Sequence, residues 1–273
     1  MKIALCLHGY FSNAGGIQAS IDGHSYIDRK LLQRNDVDVF IHSWDLDNKE
    51  RVLSLYNPVS HLFEEQIQFK DELSEINQDL FFGTAKRAPG MYHINTVFNG
   101  LSFLYSRKAA IELKKKYEEQ NGFEYDCVIL ARFDLGQRGK EHFQKYYATN
   151  FNFDAGLDMN YVHSAYWDQL NHGYADHWFF SNSSNMNLLS LAFDKVKEYY
   201  QPDSEYVERV TGGWPDSNSY NEFSNEFFLI KKSLTLKKFP LWGCIDNHKL
   251  YKWYFIETGL YDKSKFVDIT EAG

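Results

Sequence analysis

Three short apolar runs in this chain stop at residues able to do chemistry. Lys2-Ile-Ala-Leu-Cys-Leu closes on His8 and Gly9, and Val37-Asp-Val-Phe-Ile-His-Ser-Trp44 closes on Asp45. Cys127-Val-Ile-Leu-Ala131 leads into Arg132-Phe-Asp134. A strand-end carboxylate such as Asp134 can hold Mg²⁺ or Mn²⁺, and arginine can replace part of a metal's charge. Either device offsets concentrated negative charge on a leaving group. Gly9, Tyr10 and Asn13 begin the first loop, where glycine allows close backbone approach. Arg107 and Lys108 are further cations: one could reach a phosphate, or both are surface charges. Asp176 and Glu226 are the candidates for a general base. Asp176 opens an aromatic run, and Glu226 stands near Phe223, Phe227 and Leu229, where a carboxylate needs a buried partner or a function. His177 is either a structural imidazole or a ligand contact.

These residues converge only if the runs are parallel strands of one sheet, because ligands of α/β sheets bind outside the strands' carboxyl ends. Near-continuous apolar runs read as buried parallel strands, and the first two are spaced for a βαβ crossover. A helix is expected over 58–80, with Leu62, Phe63, Ile67 and Leu73 as its apolar positions. The longest helical signal is 95–120, where Val97, Leu101, Leu104, Ala109 and Leu113 recur and Asn121-Gly122 supplies a stop. Residues 161–164 and 176–180 read as short strands, and Ser181 to Ser184 as the start of a helix over 186–200. A turn-rich stretch is expected at 201–218, a helix at 221–234 and a last strand at 236–242. The expected fold class is α/β, a mainly parallel twisted sheet flanked by helices with a Rossmann-like nucleotide-binding half.

Composition narrows the classes. The chain has 273 residues, 44% hydrophobic and 24% charged, which suits one large globular domain. With 29 basic against 37 acidic residues the net charge is −8, a poor basis for non-specific nucleic-acid binding. Lys114-Lys115-Lys116 is interrupted by Glu112, Glu118 and Glu119 and reads as the solvated face of a helix. The 3 cysteines form no C-x-x-C pair; Cys6 and Cys127 read as buried thiols, which suits a reducing compartment. No signal peptide and no apolar run of roughly 18 residues is visible, so a cytoplasmic location without a transmembrane segment is expected. Aromatic content is 17%, mostly core, with Trp167, Trp178 and Trp214 as candidates to stack on sugar. P-loop, G-x-G-x-x-G and zinc-ligand spacings are absent from the sequence.

The segment Tyr125-Asp-Cys-Val-Ile-Leu-Ala-Arg-Phe-Asp-Leu135 resembles the strand and D-x-D-like element of GT-A glycosyltransferases. More narrowly, residues 2–9, 38–44 and 125–135 are similar, in that order, to landmarks of a group of bacterial and viral polysaccharide-biosynthesis proteins. Asp176-His-Trp-Phe179 and Asn225-Glu-Phe-Phe-Leu229 resemble later landmarks of the same group. The resemblance implies a single GT-A-like domain over 1–273, with a nucleotide-sugar half at 1–135 and an acceptor-side half at 136–273. It implies sugar transfer from a nucleoside-diphosphate sugar to a glycan or lipid-linked saccharide hydroxyl. Gly9, Tyr10 and Asn13 would then lie under the nucleotide, Asp45 would accept from base or ribose, and Arg107, Arg132 and His177 would contact the donor. Asp134 would hold a divalent cation, Mn²⁺ or Mg²⁺. Arg132 stands where a first Asp is usual, so metal and guanidinium both remain open as the charge carrier. A non-catalytic glycan-binding module is the alternative. An α/β-hydrolase is disfavoured because Gly100-Leu-Ser-Phe-Leu104 lacks the second glycine of a nucleophile elbow.

Overall fold

Alternation along the apolar runs sorts their side chains onto two faces. The computed structural model describes residues 1–12, 16–76, 96–136, 153–165, 173–212 and 247–267. In β1 (Ile3–Gly9), Ala4 and Cys6 join one buried cluster, while Ile3, Leu5 and Leu7 join another. In β4 (Cys127–Arg132), Val128 and Leu130 side with the first, Cys127, Ile129 and Ala131 with the second. A strand apolar on both faces needs cover on both. Helix α4 (Val97–Asn121) covers the first face, and α1 (Gly16–Ile27) and α2 (Lys49–Tyr56) contribute Ile27, Val52 and Tyr56 to the second.

Among the described residues the sheet has seven strands in the order β3-β2-β1-β4-β6-β5-β7, adding β2 (Val37–Ser43), β3 (Ser60–Phe63), β5 (Val162–Ala165), β6 (Trp178–Ser181) and β7 (Ser264–Val267). β3, β2, β1 and β4 run parallel; β6 runs antiparallel to β4 and to β5, while β5 and β7 pair parallel. This is an α/β fold with a mostly parallel mixed sheet, compatible with a Rossmann-like arrangement. The order places a switch point between β1 and β4, where crossovers depart to opposite sides and leave a crevice. Gly23 lets α1 approach that crevice: a Cβ there would lie 2.1 Å from the Phe133 carbonyl oxygen.

Helix α4 follows the sequence expectation closely. Thr96 caps it by accepting from the Asn99 N–H at 3.1 Å, and Gly122 ends it in the left-handed conformation, φ +67. Over the described part of the helix expected at 58–80, which ends at 76, residues 60–63 are instead the edge strand β3, and only Lys70–Glu75 is helical, α3. The pairing of Phe40 with Ser60 takes those backbone groups into the sheet. The helix expected over 186–200 divides into α5 (Ser183–Ser190), a 3₁₀ segment (Leu191–Lys195) and α6 (Val196–Tyr199). Part of the turn-rich stretch is α7 (Glu205–Gly212), and α8 (Asn247–Thr258) appears where no element was expected. The expected helix at 221–234 and strand at 236–242 lie outside the described residues. Lys114 corrects the solvated-face reading: it is fully buried and donates to Glu118, Ser183 and Asn187 at 2.6–2.8 Å.

Candidate functional site

The register of the parallel strands aligns three basic-type side chains. His8 of β1 lies opposite His42 of β2 and opposite Arg132 of β4. All three share the parity of Cys6 and Leu130, the α4 side of the sheet. Helix α4 meets the row with Ser106 and Arg107, both fully buried.

Arg107 is fixed from several directions. Its Nε donates to His8 Nε2 at 3.1 Å, and its Nη2 donates to the Asp176 carbonyl. Its guanidinium carbon lies 4.2 Å from the Phe103 ring centre and 5.0 Å from that of Tyr251. Burial, reinforced by Arg107, holds the His8 pKa well below the ordinary histidine range, so its ring is neutral at pH 7. Asp176 and His177 reach this rim because β6 is antiparallel: Trp178 pairs with Ala131, so the start of β6 meets the end of β4. Burial raises the Asp176 pKa, but His248, Arg107, His177 and Arg132 outweigh it and hold the carboxyl below its usual range. His248 Nδ1 stands 3.6 Å from that carboxylate. His177 is pushed down to about 4 by burial and by Arg132.

A second network holds the end of β1. Glu64 Oε1 lies 3.0 Å from His42 Nε2, and His42 Nδ1 lies 2.6 Å from Ser106 Oγ. Ser106 Oγ accepts from the Gly9 N–H at 2.9 Å, while Ser43 Oγ donates to the Gly9 carbonyl at 2.7 Å. The whole Gly9 peptide is thus clamped. Its φ of +98 is the left-handed region, and a Cβ would meet nothing within 4 Å, so glycine is required by the turn itself. Beyond it, Asp45 Oδ2 accepts from the Ser12 N–H at 2.7 Å and from its hydroxyl at 2.6 Å. Asp45 Oδ1 accepts from the Asn48 side-chain amide at 3.0 Å. Burial opposes ionisation of Asp45, and the bonds from Ser12 and Asn48 prevail, leaving its pKa lowered.

Arg132 and Asp134 form a two-pronged pair, Nε to Oδ1 at 2.9 Å and Nη2 to Oδ2 at 2.6 Å. Between them and the ends of β1 and β2 is a cavity of about 560 Å³. Its polar wall includes His8, Gly9, Tyr10, Ser12, Arg132 and Asp134; Trp44, Phe98, Phe103 and Phe133 give it aromatic surface. Asp45, Arg107, Asp176 and His177 stand behind that wall rather than in it.

The expected residues therefore divide. Gly9, Tyr10, Arg132 and Asp134 come together around one cavity. Asp45 acts on the same loop through Ser12. Arg107, Asp176 and His177 form a supporting layer. Lys108 is at the surface, paired with Asp194 at 2.6 Å. Trp178 is buried and stacked on Phe180, a core role. Asn13, Trp167, Trp214 and Glu226 lie outside the described residues. Sequence reading did not single out Ser12, His42, Trp44, Glu64 or Ser106; His42 and Trp44 carried a signal, being the last residues of the second apolar run.

Both Asp134 oxygens are taken by one guanidinium, and among the described residues no group of three His, Cys, Asp or Glu could hold a metal. A cation held by Asp134 would have to share oxygens that already accept from Arg132. Among the described residues no helix is long and apolar enough to cross a membrane. No protein-family model matches the chain, and no curated protein matches it.

Proposed function

We propose that this chain is a GT-A-like glycosyltransferase that moves a sugar from a nucleoside-diphosphate donor to a saccharide hydroxyl in glycan synthesis, with the donor in the cavity between β1, β2 and β4. The observation that carries this reading is the position of that cavity. It lies at the carboxyl rim of parallel strands, beside the β1–β4 switch point, with Arg132 and Asp134 in its wall. In the reaction the acceptor hydroxyl oxygen forms a bond to the anomeric carbon as the carbon–oxygen bond to diphosphate breaks; the diphosphate leaves with the electron pair, and one of its oxygens takes the hydroxyl proton. Arg132 uses two donors on Asp134 and retains others to meet the charge on the departing group. Asp134 orients that guanidinium. Asp176, held ionised, is a weak proton acceptor and serves to balance Arg107. The acceptor is a glycan or lipid-linked saccharide met on the cytoplasmic side, through the half after residue 136.

A panel of nucleotide sugars, scored by nucleoside diphosphate released with and without saccharide acceptors, tests the proposal. One donor should be turned over, EDTA should leave the rate within about twofold, and Asp134→Ala should lower it at least ~100-fold, an oxyanion-type loss. Full turnover by Asp134→Ala would remove Asp134 from the mechanism. Loss of all turnover on EDTA, restored by Mn²⁺, would show that a metal carries the charge instead.

A further inference from the structure

The cavity wall supplied by the start of α4 differs in chemistry from the wall at the strand ends. Phe98, Asn99, Ser102 and Phe103 line the cavity from the first two turns of that helix, at spacings that share one face. Gln66 lines it from the segment after β3. The helix start is held in place, because Thr96 Oγ1 accepts from the Asn99 N–H. Gln66 is tied to it: Ser102 Oγ donates to Gln66 Oε1 at 3.0 Å, and Gln66 Nε2 donates to the Ile67 carbonyl at 3.1 Å. A carbonyl only accepts, so the amide nitrogen of Gln66 must face Ile67 and its oxygen must face Ser102. The Ser102 oxygen then keeps its acceptor role, and Gln66 keeps a second N–H. Asn99 is exposed and presents an amide donor beside an amide acceptor. Phe98 and Phe103 are half-buried, so each keeps part of its ring surface open.

We propose that this α4 wall is a saccharide subsite, and that it takes an uncharged sugar with adjacent free hydroxyls. This rests on the donor-binding reading above and adds which wall holds the sugar and which class of sugar it is. A hydroxyl both donates and accepts, and a wall of two amides and a hydroxyl that mixes both roles satisfies a run of them. A phosphate oxygen only accepts, so on this wall it would meet the Gln66 and Ser102 oxygens unpaired; its complement is Arg132, at the end of β4. The C–H face of a sugar ring packs on aromatic surface, which Phe98 and Phe103 supply. Charge selects against an acidic sugar. Among the described residues the charged groups that line the cavity are Arg132 and Asp134, and they are paired with each other. A uronate on the α4 wall would lose its water without gaining a cation of its own, whereas hydroxyls exchange water for the amides at little cost.

Calorimetric titration of the full chain tests this, with UDP, UDP-glucose, UDP-glucuronate, GDP, GDP-mannose, GDP-mannuronate and maltose as probes. Asn99→Ala and Gln66→Met should each weaken the nucleotide sugar that binds by about 3–10-fold, the size of a hydrogen bond lost, and move its nucleoside diphosphate by less than about twofold. The uronate form should bind ~10-fold or more weakly than the neutral form on the same nucleotide. Gln66→Met also gives up the bonds to Ser102 and Ile67, so if it fails to fold, Asn99→Ala decides. Unchanged binding in the folded variants overturns the assignment. Equal losses for the nucleotide sugar and its nucleoside diphosphate overturn it too, because they put the nucleotide on this wall. A uronate form bound as tightly as the neutral one overturns the choice of an uncharged sugar. The two readings separate cleanly. Turnover of a nucleotide sugar whose binding ignores both variants removes this inference alone. Maltose binding that the variants weaken, without turnover of any nucleotide sugar, leaves the subsite standing and removes glycosyl transfer.

Discussion

Asp45 stands one step behind the cavity wall, bonded to Ser12 and Asn48. The resemblance implied contact with base or ribose, yet its oxygens are occupied by Ser12 and Asn48. It pins the loop that carries Tyr10 and Ser12 into the cavity wall. Asp45→Ala should therefore lower stability by about 1–3 kcal/mol, from buried donors left unmade, and weaken nucleotide binding as a consequence. Denaturant unfolding beside a nucleotide titration checks this. Unaltered stability with lost binding would return Asp45 to direct contact. What separates the two roles is the Ser12 hydroxyl 33 residues away, a pairing that no local pattern reports.

Elements whose burial is set by their own pattern were legible: β1, β2 and β4 as apolar runs, α4 as a period with a cap and a stop. Elements whose identity depends on partners were not. β3 is an edge strand with its middle residues exposed, and only its pairing with β2 distinguishes it from a helical turn. In α8 the run from Lys249 to Phe255 is buried without a break, so it has no polar face and no amphipathic period to read. The lysine run on α4 misled for a related reason. Lys114 turns inward to Glu118 of the next turn, and α5 supplies Ser183 and Asn187 to complete its bonds. Lys114→Met should cost about 3–5 kcal/mol by leaving the Glu118 charge buried alone. Adding Glu118→Gln, which can still accept from the Tyr125 N–H, should restore much of it. A double-mutant cycle in denaturant measures both, and additive losses would deny that the two residues act as a pair.

Across the whole molecule, buried neutral histidines link stability to pH. Burial depresses the pKa of His8, His42, His163 and His177 below 6.5, with His177 near 4. A depressed folded-state pKa means that the unfolded chain binds more protons in acid. The contribution is complete above about pH 7, and it is lost as pH falls through 6.5 toward the folded values. Each group can contribute up to ~1.4 kcal/mol per pH unit within that window. Unfolding free energy should drop by about 2–4 kcal/mol between pH 7.5 and 5.5, and a flat profile would mean that these rings titrate in the folded chain as they do in the unfolded one. The same acid sensitivity should appear in ligand binding, since protonating His8 sets its ring against Arg107. The most direct test of the proposed function is a crystal structure of the chain soaked with the nucleoside-diphosphate sugar that it turns over. The nucleotide should lie in the cavity between β1, β2 and β4, with its diphosphate against Arg132. Density for the nucleotide anywhere else, or none at saturating concentration, would contradict it.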